Sequence, residues 1–497
     1  MKNEVMIEED SGYKNIFKTT FLFGFVQIFN IFIKVGTNKI VALLLGSEGM
    51  GIIGLFNSAI GMLQTGAGLG ISQSAVRDIS EANVCGDSDR FSRTISLTNK
   101  IIISTALLGV IISIILSPML SEWAFGNDSY IIAFVGIAIV VGLNILSEGK
   151  LAILKGMRQL ASLAKASMIG SVVGFISVVP FYYFWREDGI VPSLMVTAFS
   201  ALFFSNYFVR NIKYVSIKLS LKEICKEAFP MMKMGSALMF TTFLANLATL
   251  VIASFMRLEG GLEDVGFYNA GSMIMTGYFG IIITALLTDY YPRIAAVNQN
   301  NIKLQEELNK QSIVSLVICC PIIVLFLFLL PFFVEILYSK EFLPIVNFVK
   351  IGMFGVLIMI CSNQVDMILV AKFRIKIFTI ISIIYRVVQV IMSVILYKYY
   401  GLIGMGFALM FLGIIHMIVM VTAVNKLYHI RYNRIFVKIA SFVLILSILS
   451  ILVSEIDDMF LKYCLGSILF LSSVTFSLII SIRYLNINFR TLLKRKV

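Results

Sequence analysis

Apolar runs of about 20 residues, the length that crosses a hydrocarbon core about 30 Å thick, recur along the whole chain. Short polar gaps separate them, and the spacing predicts an all-α polytopic membrane protein with about fourteen transmembrane helices. Six spans fill the first half: Ile16–Leu45, Gly51–Ile79, Ile95–Leu116, Tyr130–Leu154, Ala161–Phe184 and Ile190–Val209. Six more are Pro230–Met256, Val265–Tyr290, Ile313–Leu337, Leu343–Ala371, Ile377–Tyr397 and Leu402–Val424. Ile435–Val453 and Phe460–Ile482 follow as a final pair.

Lys and Arg collect in every second gap, as in Arg90/Arg93, Lys155/Arg158, Arg210–Lys226, Lys372/Arg374/Lys376 and Lys426–Arg434. The intervening gaps are richer in acid, as in Glu187/Asp188, Glu259/Glu263/Asp264 and Glu455/Asp457/Asp458. Arg186, Arg257, Lys340 and Lys398 break the pattern singly. The asymmetry is the positive-inside rule repeated along the chain, and it puts both termini in the cytoplasm. Trp123 and Trp185 fall at the expected outer ends, where an interfacial aromatic belt sits.

Composition supports this reading. The hydrophobic content is 59% and the mean hydropathy +0.92, too apolar for a water-soluble surface. The formal charge of +13 sits in short loops on one side, where it orients helices and meets anionic lipid. No basic extramembrane domain is available to hold nucleic acid. The first apolar run is too long for a signal-peptide core and is expected to be retained. The six cysteines lack metal-ligand spacing and are expected to be reduced thiols. A phosphate-cradling ATP motif is absent, and no metal or cofactor is expected.

Two matches share one offset. Gly54–Ala59 in span two pairs with Gly266–Gly271 in span eight (266 − 54 = 212), and Gly189-Ile190 pairs with Gly401-Leu402 (401 − 189 = 212). The chain therefore reads as two six-helix lobes in parallel repeat. Residues 1–209 form the first lobe, 210–229 a cytoplasmic linker, 230–425 the second lobe, and 426–497 the last two helices with a basic tail. Repeated halves with a site between them are a transporter architecture.

Polar side chains at membrane depth are costly and mark interior faces or wet cavities. Gln27, Asn30, Lys34 and Thr37/Asn38 share one face of span one, with Lys34 about 6 Å along the axis from the span's midpoint. The offset carries Asn30, Lys34 and Thr37 onto Thr242, Asn246 and Thr249. The two stripes read either as the lining of a hydrated cavity or as hydrogen-bonding glue between helices. Lys39 can snorkel or meet a ligand, and Arg77 can meet lipid or a ligand. Lys350 and Arg386 lie inside spans ten and eleven, and Arg386, roughly nine residues in, is deep enough to need a partner. Glu148, Asp289 and Asp366 are candidates for ion coupling or gating, with structural ion pairs at the cytoplasmic mouth as the plainer reading. His416, alone in span twelve, reads as a packed neutral imidazole rather than a relay. The Gly66–Gly70 run permits bending or close helix contact, and Pro321 and Pro331 are the expected kink sites of span nine.

Several stretches resemble the polysaccharide-transport branch of the multidrug/oligosaccharidyl-lipid/polysaccharide (MOP) exporter superfamily, with Wzx-type O-antigen and enterobacterial common antigen translocases as the nearest fit. They are Asn38-Lys39, Leu45–Gly51, Gly66-Ala67-Gly68 with Arg77 downstream, Leu154–Arg158, Val265–Tyr268 and Tyr338–Phe342. The resemblance implies a two-lobed, alternating-access flippase of the bacterial inner membrane, with a cationic cavity for an undecaprenyl-pyrophosphate-linked oligosaccharide. It implies a proton or sodium gradient as the driving force and a polysaccharide polymerase and chain-length regulator as partners. Lys39 and Arg77 are its family-like basic positions. A multidrug or cation antiporter of the same superfamily is the alternative, distinguished by acids in place of Lys34. A membrane-embedded enzyme of envelope assembly is another, against which the short outer loops speak.

The topology is testable by labelling. Cysteines introduced at Glu187 and Asp457 should react with an impermeant reagent applied outside, and one at Ile375 should not. The reverse pattern would overturn the orientation.

Overall fold

The computed structural model describes Val26 and residues 28–85, 87–212, 214–217 and 220–485. Among these residues every regular element is helical. In chain order they are α1 (28–44), α2 (Gly46–Gly68), α3 (Ile71–Val84), α4 (Ser88–Phe125), α5 (Ile131–Gly156), α6 (Leu160–Trp185), α7 (Ile190–Val209) and α8 (Leu221–Ser272). There follow α9 (Phe279–Ala296), α10 (Asn301–Phe328), α11 (Leu330–Leu337), α12 (Ile345–Ala371), α13 (Ile375–Tyr428), α14 (Arg434–Ser454) and α15 (Met459–Leu485).

Nine helical stretches are long and apolar enough to cross a bilayer, and the bent pair α2–α3 makes a tenth. Three of the nine run for 50, 58 and 54 residues, roughly twice one crossing, and each reverses midway. The reversals fall at the one-turn helix Arg186–Gly189, at Gly261 and at Gly401. Counting both halves of each, and α1, gives the fourteen crossings that the apolar runs predict. Two of the expected loops are thus almost absent. Gly261 (φ 82°, ψ −176°) and Gly401 (φ 57°, ψ −143°) each turn a helix back within a residue or so, in backbone regions where a Cβ is strained. Span nine breaks at Leu329, with Pro331 in the first turn of α11, while α10 runs on through Pro321.

Local chemistry sets the helix ends. The Asp87 carboxylate accepts from the amides of Asp89 and Arg90, both at 3.0 Å, and opens α4. Gly126 (φ 69°) closes it, and the Arg257 Nε donates to the nearby Ala124 carbonyl at 3.1 Å. Ser220 and Glu223 form a reciprocal capping box at the start of α8. The backbone and hydroxyl hydrogen bonds from Ser220 hold the Glu223 carboxyl below its ordinary pKa. That stabilisation is present at neutral pH and is lost as pH falls through the lowered value.

The chain divides into two compact units, Met1–Gly266 and Phe267–Val497. In the first, α5 packs between α4 and α7, and α6 lies beside α7. In the second, α10 and α12 are central: 72% and 67% of their apolar windows are buried, against 28–39% in the other spans. The outer helices present Phe32, Ile132 and Phe460 at 70–85% exposure, as a lipid-facing surface would. The last pair docks on α10, where Ser450 Oγ donates to the Val324 carbonyl at 2.7 Å.

One helical turn is built alike in each unit. Gly189 faces the Phe181 carbonyl eight residues back, and Gly404 faces the Leu396 carbonyl at the same separation. These two contacts lie 404 − 189 = 215 residues apart, three more than the offset of 212 in the residue order.

Replacing Gly401 by Ala should cost about 1–3 kcal/mol through its positive φ. Gly280→Ala, with open space around the added methyl, should be neutral or gain up to about 1 kcal/mol. Thermal melting of the detergent-purified variants measures both. Equal midpoints would show that the reversal does not require glycine.

Candidate functional site

The Gly66–Gly70 run breaks span two. α2 ends at Gly68, Leu69 (φ 51°) and Gly70 (φ 67°) take left-handed backbone, and the axis bends by 49°. A break of this kind frees peptide groups that a continuous helix would satisfy. At membrane depth such backbone is tolerated where it is buried in protein or lines a wet cavity.

A cavity of about 390 Å³ lies at this break, inside the first unit. Gln64, Thr65, Ser72 and Gln73 reach it from α2 and α3, Glu148 and Lys155 from α5, and Thr242 from α8. Glu148 and Lys155 are two helical turns apart, about 10 Å along one face of α5. Gln64, Ser72, Gln73, Glu148 and Lys155 have no hydrogen-bond or ion-pair partner among the described residues. Asn246 stands at the edge, its Nδ2 donating to Thr65 Oγ1 at 3.4 Å.

The two polar stripes divide by role. Thr37 donates to the Ile33 carbonyl at 2.9 Å and Thr249 to the Ala245 carbonyl at 3.0 Å, so both hydroxyls are spent within their own helices. Asn30 Nδ2 reaches Ser167 Oγ on α6 at 3.4 Å. Lys34 is exposed and has no partner among the described residues. Gln27 lies outside the described residues. Lys39 is partly exposed and engaged with protein groups. Arg77 is also engaged and borders a separate cavity of about 460 Å³ with Asp78, Arg90, Lys226 and Glu227. Salt bridges rim that cavity, Arg90–Glu81 at 2.7 Å and Arg93–Glu227 at 2.5 Å.

The remaining candidates lie in the second unit. Lys350 on α12 is 4% exposed and ion-paired with Glu455 at the end of α14. Arg386 Nη1 donates to Gln389 Oε1 at 2.7 Å, one turn along α13. Asp289 is largely exposed and meets Arg293 at 3.1 Å. Asp366 is 9% exposed on α12, and its Oδ2 lies 3.7 Å from Nε2 of His416 on α13. Among the described residues, then, Glu148 joins the broken-helix cavity with Asn246 at its edge, and Asp366 joins His416. Arg386 and Asp289 pair within their own helices, and Lys350 pairs across to the end of α14. Sequence reasoning passed over Gln64, Gln73 and Lys155. Two amides within one apolar span were a legible signal, whereas Lys155 had been counted with its cytoplasmic gap.

Known proteins agree with this fold. The sequence pattern of the polysaccharide biosynthesis protein family matches residues 40–347. Lipid III flippases of Escherichia coli (strain K12) and Shigella flexneri are each 22% identical over 280 residues, 54% of this chain. The chain spans 65% of the length of these curated relatives. A solved lipid II flippase MurJ, in an inward closed conformation, superposes with a TM-score of 0.67 at 15% identity, over 95% of this chain and all of that one. An inward-facing multidrug resistance MATE family transporter of the MOP superfamily gives 0.65 at 16% identity, over 80% of this chain and 95% of that one. With a family match over more than half its length and the all-helical fold of MOP transporters, the chain belongs to the polysaccharide biosynthesis protein family.

Proposed function

We propose that this protein is a flippase of the bacterial inner membrane that moves an undecaprenyl-pyrophosphate-linked oligosaccharide, an O-antigen or related surface polysaccharide unit. The headgroup crosses by alternating access, driven by a proton or sodium gradient, while the polyprenyl tail stays in lipid. A polysaccharide polymerase and a chain-length regulator would receive the product.

The observation that carries this reading is the cavity at the α2–α3 break. Its unpartnered amides, hydroxyl and carboxylate are groups that hydrogen-bond sugar hydroxyls. Left without water or ligand, each would be costly at membrane depth. Its volume falls in the range of ligand-sized sites. Lys155 in the cavity and Lys34 on α1 supply unpaired ammonium groups suited to pyrophosphate. Likeness to the lipid III flippases supports a lipid-linked substrate. An exporter of organic cations fits less well, because two of these unpartnered groups are themselves cations.

If the cavity is wet, Gln73→Cys in a background without native cysteines should react with a water-soluble maleimide in detergent. Ala75→Cys, at a fully buried position on the same helix, should not. Equal reactivity would remove the cavity.

Lys34→Ala should lower flipping about 10- to 100-fold, the worth of one charge-assisted hydrogen bond. Lys34→Arg should retain part of the activity and Lys34→Glu the least. Complementation of surface polysaccharide reads the effect, with membrane insertion checked by immunoblot. Full activity of a well-inserted Lys34→Glu protein would take Lys34 out of the substrate path.

A further inference from the structure

The second unit holds one arrangement that substrate binding does not use. Asp366 and Ser362 are four residues apart on one face of α12, and both meet the His416 imidazole of α13. Ser362 Oγ and His416 Nδ1 are 2.7 Å apart, so one ring nitrogen is fixed by a hydrogen bond. The other, Nε2, faces Asp366 Oδ2 at 3.7 Å, too far for a direct hydrogen bond. Asp366 Oδ1 is buried and has no hydrogen-bond partner among the described residues. The Tyr385 ring meets the imidazole edge-on, with centroids 5.0 Å apart, and closes the pocket.

The surroundings decide what this pair can hold. The other groups whose charges act here are Arg386 and Tyr385 on α13 and Tyr432 ahead of α14. Arg386 is committed to Gln389, and Tyr432 donates to the Cys361 carbonyl at 3.0 Å. Neither supplies a contact to the free carboxylate oxygen. α10 contributes hydroxyl and amide groups here, through Ser312 and the Ser315–Gln364 hydrogen bond at 2.6 Å. A bare carboxylate in this position lacks a contacting cation, and an uncompensated buried charge is destabilising. A proton shared between carboxylate and imidazole removes that charge, residing as Asp-COOH beside neutral His or as carboxylate beside imidazolium. Loss of that proton leaves α12 and α13 carrying an unbalanced charge across their interface. Occupancy of the pair thereby changes the charge held between these two helices.

We propose that Asp366 and His416 form a proton-binding site through which a proton gradient drives headgroup translocation. The proposal rests on the flippase reading and names its coupling ion. One proton enters the pair from one side of the membrane and leaves to the other, with no net change in the protein over a cycle. Asp289 has no part in it, being exposed and already paired with Arg293.

Two measurements on the full chain test it. Infrared difference spectra of purified protein, recorded between acid and alkaline pH, should contain a carboxyl C=O band that Asp366→Asn removes. His416→Gln should keep the band and move its midpoint by about one pH unit, as expected for interacting sites. In proteoliposomes, a pH gradient should stimulate flipping of a fluorescent undecaprenyl-pyrophosphoryl hexose by wild type. Asp366→Asn should lose that stimulation entirely. An unchanged band, or full gradient stimulation, in a monodisperse Asp366→Asn protein would overturn the site. An unmoved midpoint in His416→Gln would overturn the pairing. If wild type flips none of the probe yet its band vanishes in Asp366→Asn, the proton site stands and the flippase reading falls.

Discussion

Every peptide group that enters hydrocarbon must find a hydrogen-bond partner inside its own segment or against protein, and this constraint governs the whole architecture. It makes the described chain all helix and fixes the length of each crossing. It also makes each departure from regular helix informative. The reversals at Gly261 and Gly401 keep the unpaired stretch to a residue or so. The break at Leu69 and Gly70 is different, because it opens on a cavity bordered by polar side chains. Span eight is irregular too, as a six-residue π-helix at Met273–Tyr278. Irregular backbone of that type often marks functional positions.

Polar side chains inside the spans fall into two sorts. Some are consumed locally: Thr37 and Thr249 bond their own helices. Others are left open, as are Gln64, Gln73, Glu148 and Lys34. Lys34, Gln73 and Glu148 are exposed and Gln64 is half-buried, so water or a ligand is the partner open to them at this depth. The first sort holds helices together, and the second sort carries the functional reading.

The fold was almost fully legible in the sequence because hydropathy and charge asymmetry are one-dimensional signals. Fourteen crossings and the flexible point at Gly66–Gly70 could be read from residue order alone. The turns between spans seven and eight and between eleven and twelve were read as loops, since nothing in the residue order shows that one glycine suffices. The sites were less legible because pairing is three-dimensional. Lys350 looked like a free intramembrane cation until Glu455 appeared beside it from another helix. His416 looked isolated, although Asp366 and Ser362 wait on the neighbouring span. Thr37 gave the same signal as Lys34, yet geometry separates the hydroxyl that is satisfied within its own helix from the ammonium that is not.

The Lys350–Glu455 pair has a consequence in time. The two residues are 105 positions apart, and in the finished chain Lys350 is 4% exposed and paired with Glu455. At synthesis rates of about 5–20 residues per second, Glu455 emerges about 5–20 s after Lys350 has entered the membrane. During that interval the ammonium has no counter-charge and must stay at the interface. The second unit therefore cannot reach its final packing before the C-terminal pair is made. A ribosome stalled between spans twelve and thirteen would leave an intermediate with a frustrated α12, a ready target for membrane quality control.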